Sequence, residues 1–269
     1  MLHRCIDSIP DNSNIEIIVV DDNSIESQKP ISWRKYMFVI RLDEKSSNGA
    51  GHARNMGLRK ARGRWILFAD ADDQYSEAFL PIIRKYQDSD VDVVYFDYDQ
   101  VKGDNITHHA CPYIGANEDY DDFNLSFRFT VPWNKMVKRE FINNNQILFE
   151  ECPVGNDIFF TYQVGYFCKK KIVEPATLYI YYINNSSIIH RKKNNEKYYL
   201  TICKHIFQSN EFFIFISHPQ YKRSILSKIV AICIKKGITQ SLLCLKVFIK
   251  NYSEIKRDRY FFVNRFAKN

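Results

Sequence analysis

The chain has 269 residues, 45% of them hydrophobic and 26% charged, with a formal net charge of +7. That is ordinary globular composition, long enough for one large domain or a domain with an appendage, and no run is long and charge-free enough to span a bilayer. Seven cysteines, odd in number and without a Cys-x-x-Cys pair, fit a reduced cytoplasmic compartment and argue against a zinc site. The positive charge sits at one end: Phe215 to Asn269 carries twelve Lys and Arg against only Glu254 and Asp258. That segment therefore holds +10, and 7 − 10 leaves −3 for the rest.

In chain order, Ile15 to Val20 is an unbroken apolar run rich in β-branched residues, stopped by Asp21-Asp22-Asn23-Ser24. It reads as a buried parallel strand ending in a loop. Met37 to Leu42 repeats the pattern. Asn48-Gly49-Ala50-Gly51 opens a helix through Ala61, Gly63 stops it, and the strand Trp65 to Ala69 runs into Asp70, Asp72 and Asp73. Ser76 caps a helix to Tyr86, and Val91 to Tyr98 is another strand. Strands alternating with helices predict right-handed crossovers and a doubly wound α/β sheet, with ligands beyond the carboxyl ends of its strands. Asp104 to Phe127 reads as a polar loop in which His108-His109 is a solvated pair. Trp133 to Ile142 leads into a helix, Asp157 to Phe167 forms another, and Lys171 to Ile183 offers short strands. Beyond Asn194 the chain is mostly helical, with Ile225, Ile229, Ile232 and Cys233 at helical spacing.

Three acids within four positions raise one another's pKa and cost free energy unless something positive sits among them. A solvated turn is one reading, since Asp favours turns; a divalent cation held by hard oxygen ligands is the other. A second acidic strand end, Asp21-Asp22, on the same predicted rim favours the cation. Gly49-Ala50-Gly51 invites a dinucleotide reading, but the third glycine of that fingerprint would fall at Arg54, whose side chain fills the space a pyrophosphate needs. No Gly-x-Ser-x-Gly or Walker loop is present. The basic tail lacks a recognition module, so no nucleic-acid partner is expected.

Together these segments resemble a known family. Asp21-Asp22-Asn23-Ser24-Ile25-Glu26 is similar to the Asp-Asp-x-Ser-x-Asp segment of family 2 glycosyltransferases with the GT-A fold, with Glu26 in place of the last Asp. Asn48-Gly49-x-Gly51-x-Ala53-Arg54-Asn55-x-Gly57 resembles their Gly-x-x-x-Ala-Arg-Asn-x-Gly stretch, and Asp70-Ala71-Asp72-Asp73 their metal-binding Asp-x-Asp motif. Val131-Pro132-Trp133-Asn134-Lys135 and Gly155-Asn156-Asp157-Ile158-Phe159-Phe160 resemble the acceptor-side segments. The likeness runs in consistent order from Leu2 to Ile188. Two departures stand out: Asn156 occupies the first position of a usual Glu-Asp pair, and the family's opening strand with its Pro-x-Tyr-Asn-like turn has no counterpart before Leu2. The expected consequence is an unpaired edge on Ile15 to Val20.

The resemblance implies an α/β GT-A fold, a Rossmann-like doubly wound sheet of the nucleotide-diphospho-sugar transferase kind, over residues 1–190. The nucleotide-binding half lies near 1–100 and the acceptor half near 101–190, and 191–269 is a helical basic extension. It assigns Asp22 to the nucleotide base, Arg54 to the donor's ribose or phosphates, Asp72 to the ribose and metal, and Asp73 to the metal, Mg²⁺ or Mn²⁺. Asp157 becomes the general base, with Trp133 and Lys135 on the acceptor side. Read from the residues alone, Asp157 is also a good helix N-cap, Trp133 a core aromatic and Arg54 a structural ion pair.

The implied function is inverting, metal-dependent transfer of a sugar from a UDP-sugar-type donor to a glycan or lipid-linked acceptor in bacterial surface polysaccharide synthesis. The alternative is a truncated, non-catalytic GT-A-like binding or partner protein. The lysines of the tail, interleaved with apolar residues, suit either peripheral contact with the inner face of the membrane or the solvated faces of packed helices.

Overall fold

In the computed structural model, which describes residues 1–25, 32–43, 49–110, 122–183, 196–261 and 263–266, α1 (Leu2–Asp7) leads to β1 (Ile17–Asp22). Glu26, Asn48, Cys111 and Ile188 lie outside the described residues. β1 pairs in parallel with β2 (Met37–Leu42), Ile17 against Met37 through Asp22 against Leu42. Among the described residues β1 has β2 as its one strand partner. The β-branched run thus makes the expected parallel strand, and its last residue delivers Asp22 to the strand end.

The helix α2 (Gly49–Lys60) follows, then β3 (Trp65–Leu67), β4 (Gln74–Tyr75), α3 (Phe79–Tyr86) and β5 (Val93–Lys102). Ser76 does not cap α3 at its first turn. Its hydroxyl donates to the Thr177 carbonyl at 2.5 Å and accepts from Ala78 N–H at 3.2 Å, tying the approach to α3 onto a neighbouring strand. Next come β6 (Asn105–His109), α4 (Asp122–Phe127), β7 (Lys135–Lys138), α5 (Arg139–Asn144), α6 (Ile158–Phe167) and β8 (Lys171–Tyr182).

The second sheet is mixed rather than all-parallel. Its order is β3-β7-β5-β8-β4 with β6 on β5; β5 runs parallel to β8 and antiparallel to β7 and β6. Two segments depart from the expectations for physical reasons. Lys135–Lys138 lies between β3 and β5 and pairs with both, so its backbone is satisfied as a strand and its Met136 and Val137 are wholly buried. The polar stretch 105–109 forms an exposed strand because Gly103-Asp104 makes a two-residue hairpin, Gly103 standing at φ +59°. His108 stays exposed to solvent but has acidic partners: its Nδ1 lies 2.9 Å from Asp99 and its Nε2 3.6 Å from Asp97.

β5 is buried on both faces over Val93 to Tyr98. Val93 and Tyr95 pack with Phe160 and Val164 of α6, whereas Val94, Phe96 and Tyr98 pack with Ile82, Leu178 and Trp133. That two-sided burial explains its continuous apolar reading.

By its internal contacts the chain divides into two compact units, Met1–Glu151 with Asn156–His190, and Cys152–Gly155 with Arg191–Asn269. The second comprises α7 (Glu196–Phe215), α8 (Ile225–Lys236), α9 (Ile238–Lys250), α10 (Tyr252–Asp258) and α11 (Val263–Phe266). Its core gathers Tyr199, Cys203 and Ile206 of α7 with Ile232, Cys244 and Val247 of the hairpin α8–α9.

Candidate active site

At the end of β1 the two acids have separate duties. Asp21 is buried, and its Oδ1 accepts from Ser24 N–H at 3.0 Å, closing a turn in which Asn23 takes φ +65°, a conformation Asn tolerates. Asp22 Oδ2 accepts from Gly49 N–H at 3.1 Å, joining the strand end to the start of α2. Among the described residues its other oxygen, Oδ1, is buried without a hydrogen-bond partner. A buried acceptor in that condition costs on the order of 1–3 kcal/mol until a donor reaches it.

One turn into α2, Arg54 spans the site. Its Nη1 donates to Asn156 Oδ1 at 2.7 Å and its Nη2 to Asp70 Oδ1 at 2.8 Å, with the guanidinium 5.4 Å from the Phe149 ring centre. Asn156, where the resemblance led to an expected Glu, supplies an acceptor that orients this arginine. Asn55 anchors the same helix: its side chain donates to the Phe149 carbonyl at 3.0 Å and accepts the Phe149 N–H at 2.9 Å. A Cβ on Gly51 would overlap the Glu150 carbonyl oxygen. The Gly-rich start of α2 therefore serves close packing against segment 149–151.

The acidic turn after β3 is held from β8. Tyr179 OH accepts from Asp70 N–H and donates to Asp73 Oδ2, both at 2.9 Å, while Tyr182 N–H donates to Asp73 Oδ1 at 2.8 Å. Burial pushes the Asp73 carboxyl up to about 7 against an ordinary 3.8, with the bonds from Tyr182 and Tyr179 opposing the rise. Arg4 of α1 donates to the Asp72 carbonyl and lies 3.6 Å over the Tyr182 ring. Sequence reasoning did not single out Tyr179, Tyr182 or Arg4, because their partners lie 68 to 109 positions away.

Asp157 stands at the N-cap position of α6, yet its side chain makes no capping bond. Burial raises its carboxyl above the ordinary value, Arg54 and Lys135 oppose the rise, and Asp70 adds to it. The structure thus brings Asp157, Arg54 and Asp70 into one electrostatic neighbourhood.

Trp133 and Lys135, expected on the acceptor side, are placed in the core. The indole stacks on Tyr179 at 4.6 Å and Tyr181 at 5.8 Å, which covers its ring. Lys135 is wholly buried; its Nζ donates to the Val131 carbonyl at 2.5 Å and lies 5.7 Å from the Tyr95 ring centre. Its influence on the site is its charge, felt at Asp157.

For a hard divalent cation the available donors are carboxylates, the right chemistry for Mg²⁺ or Mn²⁺, which keep waters and phosphate oxygens in their shell. Asp72 is half-buried on the turn, beside Asp70. Each oxygen of Asp73 accepts one protein donor, Tyr179 OH and Tyr182 N–H, which holds the turn in shape and leaves a further lone pair on each oxygen.

The Glycosyl transferase family 2 model matches residues 1–145. Glycosyltransferase YibD of Escherichia coli (strain K12) is 24% identical over 240 residues, covering 81% of this chain and 70% of the relative. Poly(ribitol-phosphate) beta-N-acetylglucosaminyltransferase TarP of Staphylococcus aureus (strain N315) is 25% identical over 217 residues, covering 75% and 65%. The crystal structure of S. aureus TarS 1-349 in complex with UDP-GlcNAc superposes with a TM-score of 0.62 at 19% identity, covering 77% of this chain and 61% of that one. The chain thus spans 61 to 70% of the length of these proteins. The shared architecture is the expected α/β GT-A fold, and its larger sheet is mixed. With the family model matched over more than half its length, the chain belongs to glycosyl transferase family 2.

Proposed function

We propose that this glycosyltransferase moves a sugar from a UDP-sugar to a glycan or lipid-linked acceptor in surface polysaccharide synthesis, with inversion at the anomeric carbon. The observation that carries the reading is the convergence of Arg54, Asp70 and Asp157, whose carboxylate is not spent on capping its helix. The partnerless Oδ1 of Asp22 supports a nucleobase N–H as the missing donor. TarS is described with UDP-GlcNAc and TarP by its action on poly(ribitol-phosphate), which supports the donor and acceptor classes.

In this mechanism Asp157 accepts the proton of the acceptor hydroxyl as that oxygen bonds to the anomeric carbon. The bond to the diphosphate oxygen breaks on the opposite face, and the nucleoside diphosphate leaves with the electron pair. Arg54 offers its charge to the donor phosphates while bound to Asp70 and Asn156, which keep it oriented. A divalent ion, when bound at Asp72 beside Asp70, supplies Lewis-acid neutralisation of the departing diphosphate. Asp73, Tyr179 and Tyr182 keep that turn in shape.

The test is thermal stabilisation of the full chain by UDP, GDP or CDP with and without Mn²⁺, followed by transfer from the UDP-sugar that binds. Stabilisation by UDP that requires Mn²⁺ is expected. The reading fails if no nucleoside diphosphate binds with any divalent ion.

A further inference from the structure

The helices α8 and α9 bury one face against α7 and leave a second apolar face open. Ile232 of α8 and Cys244 and Val247 of α9 enter the core of the helical unit. On α8, Leu226, Val230 and Ile234 recur every fourth position and so share one side of the helix; on α9, Ile238, Leu242 and Ile249, spaced four and then seven apart, also share one side. These six residues are between 57% and 81% exposed. They are not scattered single residues, which would need no explanation, but two stripes on helices of twelve and thirteen residues. Gly237 alone joins the two helices, at φ +90°, and Ser241 Oγ of α9 donates to the Ile229 carbonyl of α8 at 3.1 Å, so they form one hairpin.

Charge identifies the partner. Between Phe212 and Ser253 the chain holds seven Lys and Arg and no Asp or Glu. Viewed down each helix at about 100° per residue, the core side is followed by the open apolar stripe and then by lysine: Lys235 beyond the stripe of α8, and Lys246 and Lys250 beyond that of α9. All three lysines are exposed. Apolar residues bordered by exposed cations, of which Lys250 already reaches Glu196 of α7 at 3.4 Å, suit a surface that is oily beneath and negative above. Among the described residues no helix is long and apolar enough to cross a membrane, so the arrangement is one that lies on a bilayer.

We infer that the α8–α9 hairpin docks on an anionic phospholipid surface, sinking Leu226, Val230, Ile234, Ile238, Leu242 and Ile249 into the headgroup boundary while Lys235 and Lys246 meet lipid phosphates. Both contributions are needed: the apolar stripes supply the insertion energy, and each lysine near the surface adds about 1 kcal/mol, which salt weakens. A bound surface would bring the catalytic unit to lipid-linked acceptors, but the docking does not depend on the transfer reaction.

The experiment is flotation of the full chain with phosphatidylcholine vesicles, with and without phosphatidylglycerol, at low and high salt. Binding to the anionic vesicles alone, weakened by salt, is expected. Lys235→Glu with Lys246→Glu should weaken it at least about fivefold per lysine changed. Ile234→Asp with Leu242→Asp should abolish it, and because both positions are exposed the melting temperature and circular dichroism should stay as in the unsubstituted protein. Ile234→Ser serves as a milder variant and should give an intermediate loss. Absence of binding to anionic vesicles overturns the inference, as does binding that the aspartates leave unchanged. If the protein instead self-associates in analytical ultracentrifugation, loses that association with the same aspartates and ignores vesicles, the face belongs to a second copy and the inference is wrong. No donor or acceptor enters the assay, so its failure leaves the transferase reading standing, and loss of nucleotide binding leaves this one standing.

Discussion

The Tyr179 hydroxyl donates to Asp73 Oδ2 at 2.9 Å while accepting the Asp70 N–H at the same distance. A single side chain of β8 therefore joins both ends of the acidic turn. Tyr179→Phe removes a donor and an acceptor together and leaves Asp73 Oδ2 and the Asp70 N–H without them. The expected loss of stability is about 1–3 kcal/mol, read as a lower urea midpoint at unchanged slope. Affinity for UDP with Mn²⁺ should fall as well, measured by calorimetry. Unchanged affinity would show that nucleotide binding does not depend on the shape of this turn.

Arg54 holds two acceptors with two nitrogens, Asn156 Oδ1 and Asp70 Oδ1. A lysine keeps the charge but lacks the planar fork that spans both. Arg54→Lys should therefore weaken donor binding by about 1.5–3 kcal/mol, the range for hydrogen bonds to charged groups. Circular dichroism should remain that of the unsubstituted chain. Retention of full donor affinity would return Arg54 to the role of a structural ion pair.

Asp157 must be ionised to take a proton, and burial raises its carboxyl above the ordinary 3.8. The rate kcat/KM should then climb with pH along a limb that lies above that ordinary value, and level off beyond it. Asp157→Asn should remove turnover and leave UDP affinity in place. Stability follows the same sign. Because the folded pKa is the higher one, the protonated form favours the fold, and its contribution is lost as pH rises from 3.8 through the folded value. The asparagine variant should lose this contribution and keep the dependence of the same sign that Asp73, raised to about 7, supplies. Near-normal turnover in Asp157→Asn, with the acid limb intact, would assign the base elsewhere.

Asn55 is buried and exchanges two hydrogen bonds with the backbone of Phe149. Asn55→Ala orphans both Phe149 groups, at about 1–3 kcal/mol each. Gly51→Ala is expected to be destabilising too, for a different reason: the new methyl meets the Glu150 carbonyl, which belongs to a backbone that cannot turn aside. Denaturation of the two single variants checks both expectations. A neutral Gly51→Ala would mean that segment 149–151 shifts freely away from α2.

Local sequence determined a great deal. A run such as IIVVDD specifies a strand by its β-branched residues and ends it in acids, and a strand's direction then carries Asp22 to the rim without further help. The spacing of Arg54, Asp70, Asp72 and Asp157, read as motifs, pointed to the family that the comparison establishes. The helical extension and its unbalanced positive charge were also legible, since periodicity and charge are properties of the chain itself. The hairpin at Gly103-Asp104 carried a turn signal too, but the strand after it has no apolar alternation to reinforce that signal.

Tertiary structure alone decided the rest. Lys135–Lys138 is a strand because β3 and β5 offer it partners on both sides, a fact absent from its own four residues. Trp133 is covered because Tyr179 and Tyr181, more than forty positions later, stack on it. Asp73 accepts hydrogen bonds from residues of β8, and Asn156 serves as an acceptor because Arg54, 102 positions earlier, comes to it. The physical reason is common to all four. Residue type sets what a side chain can donate, accept or bury, whereas the partner that engages it arrives from a distant part of the chain only when the sheet is assembled.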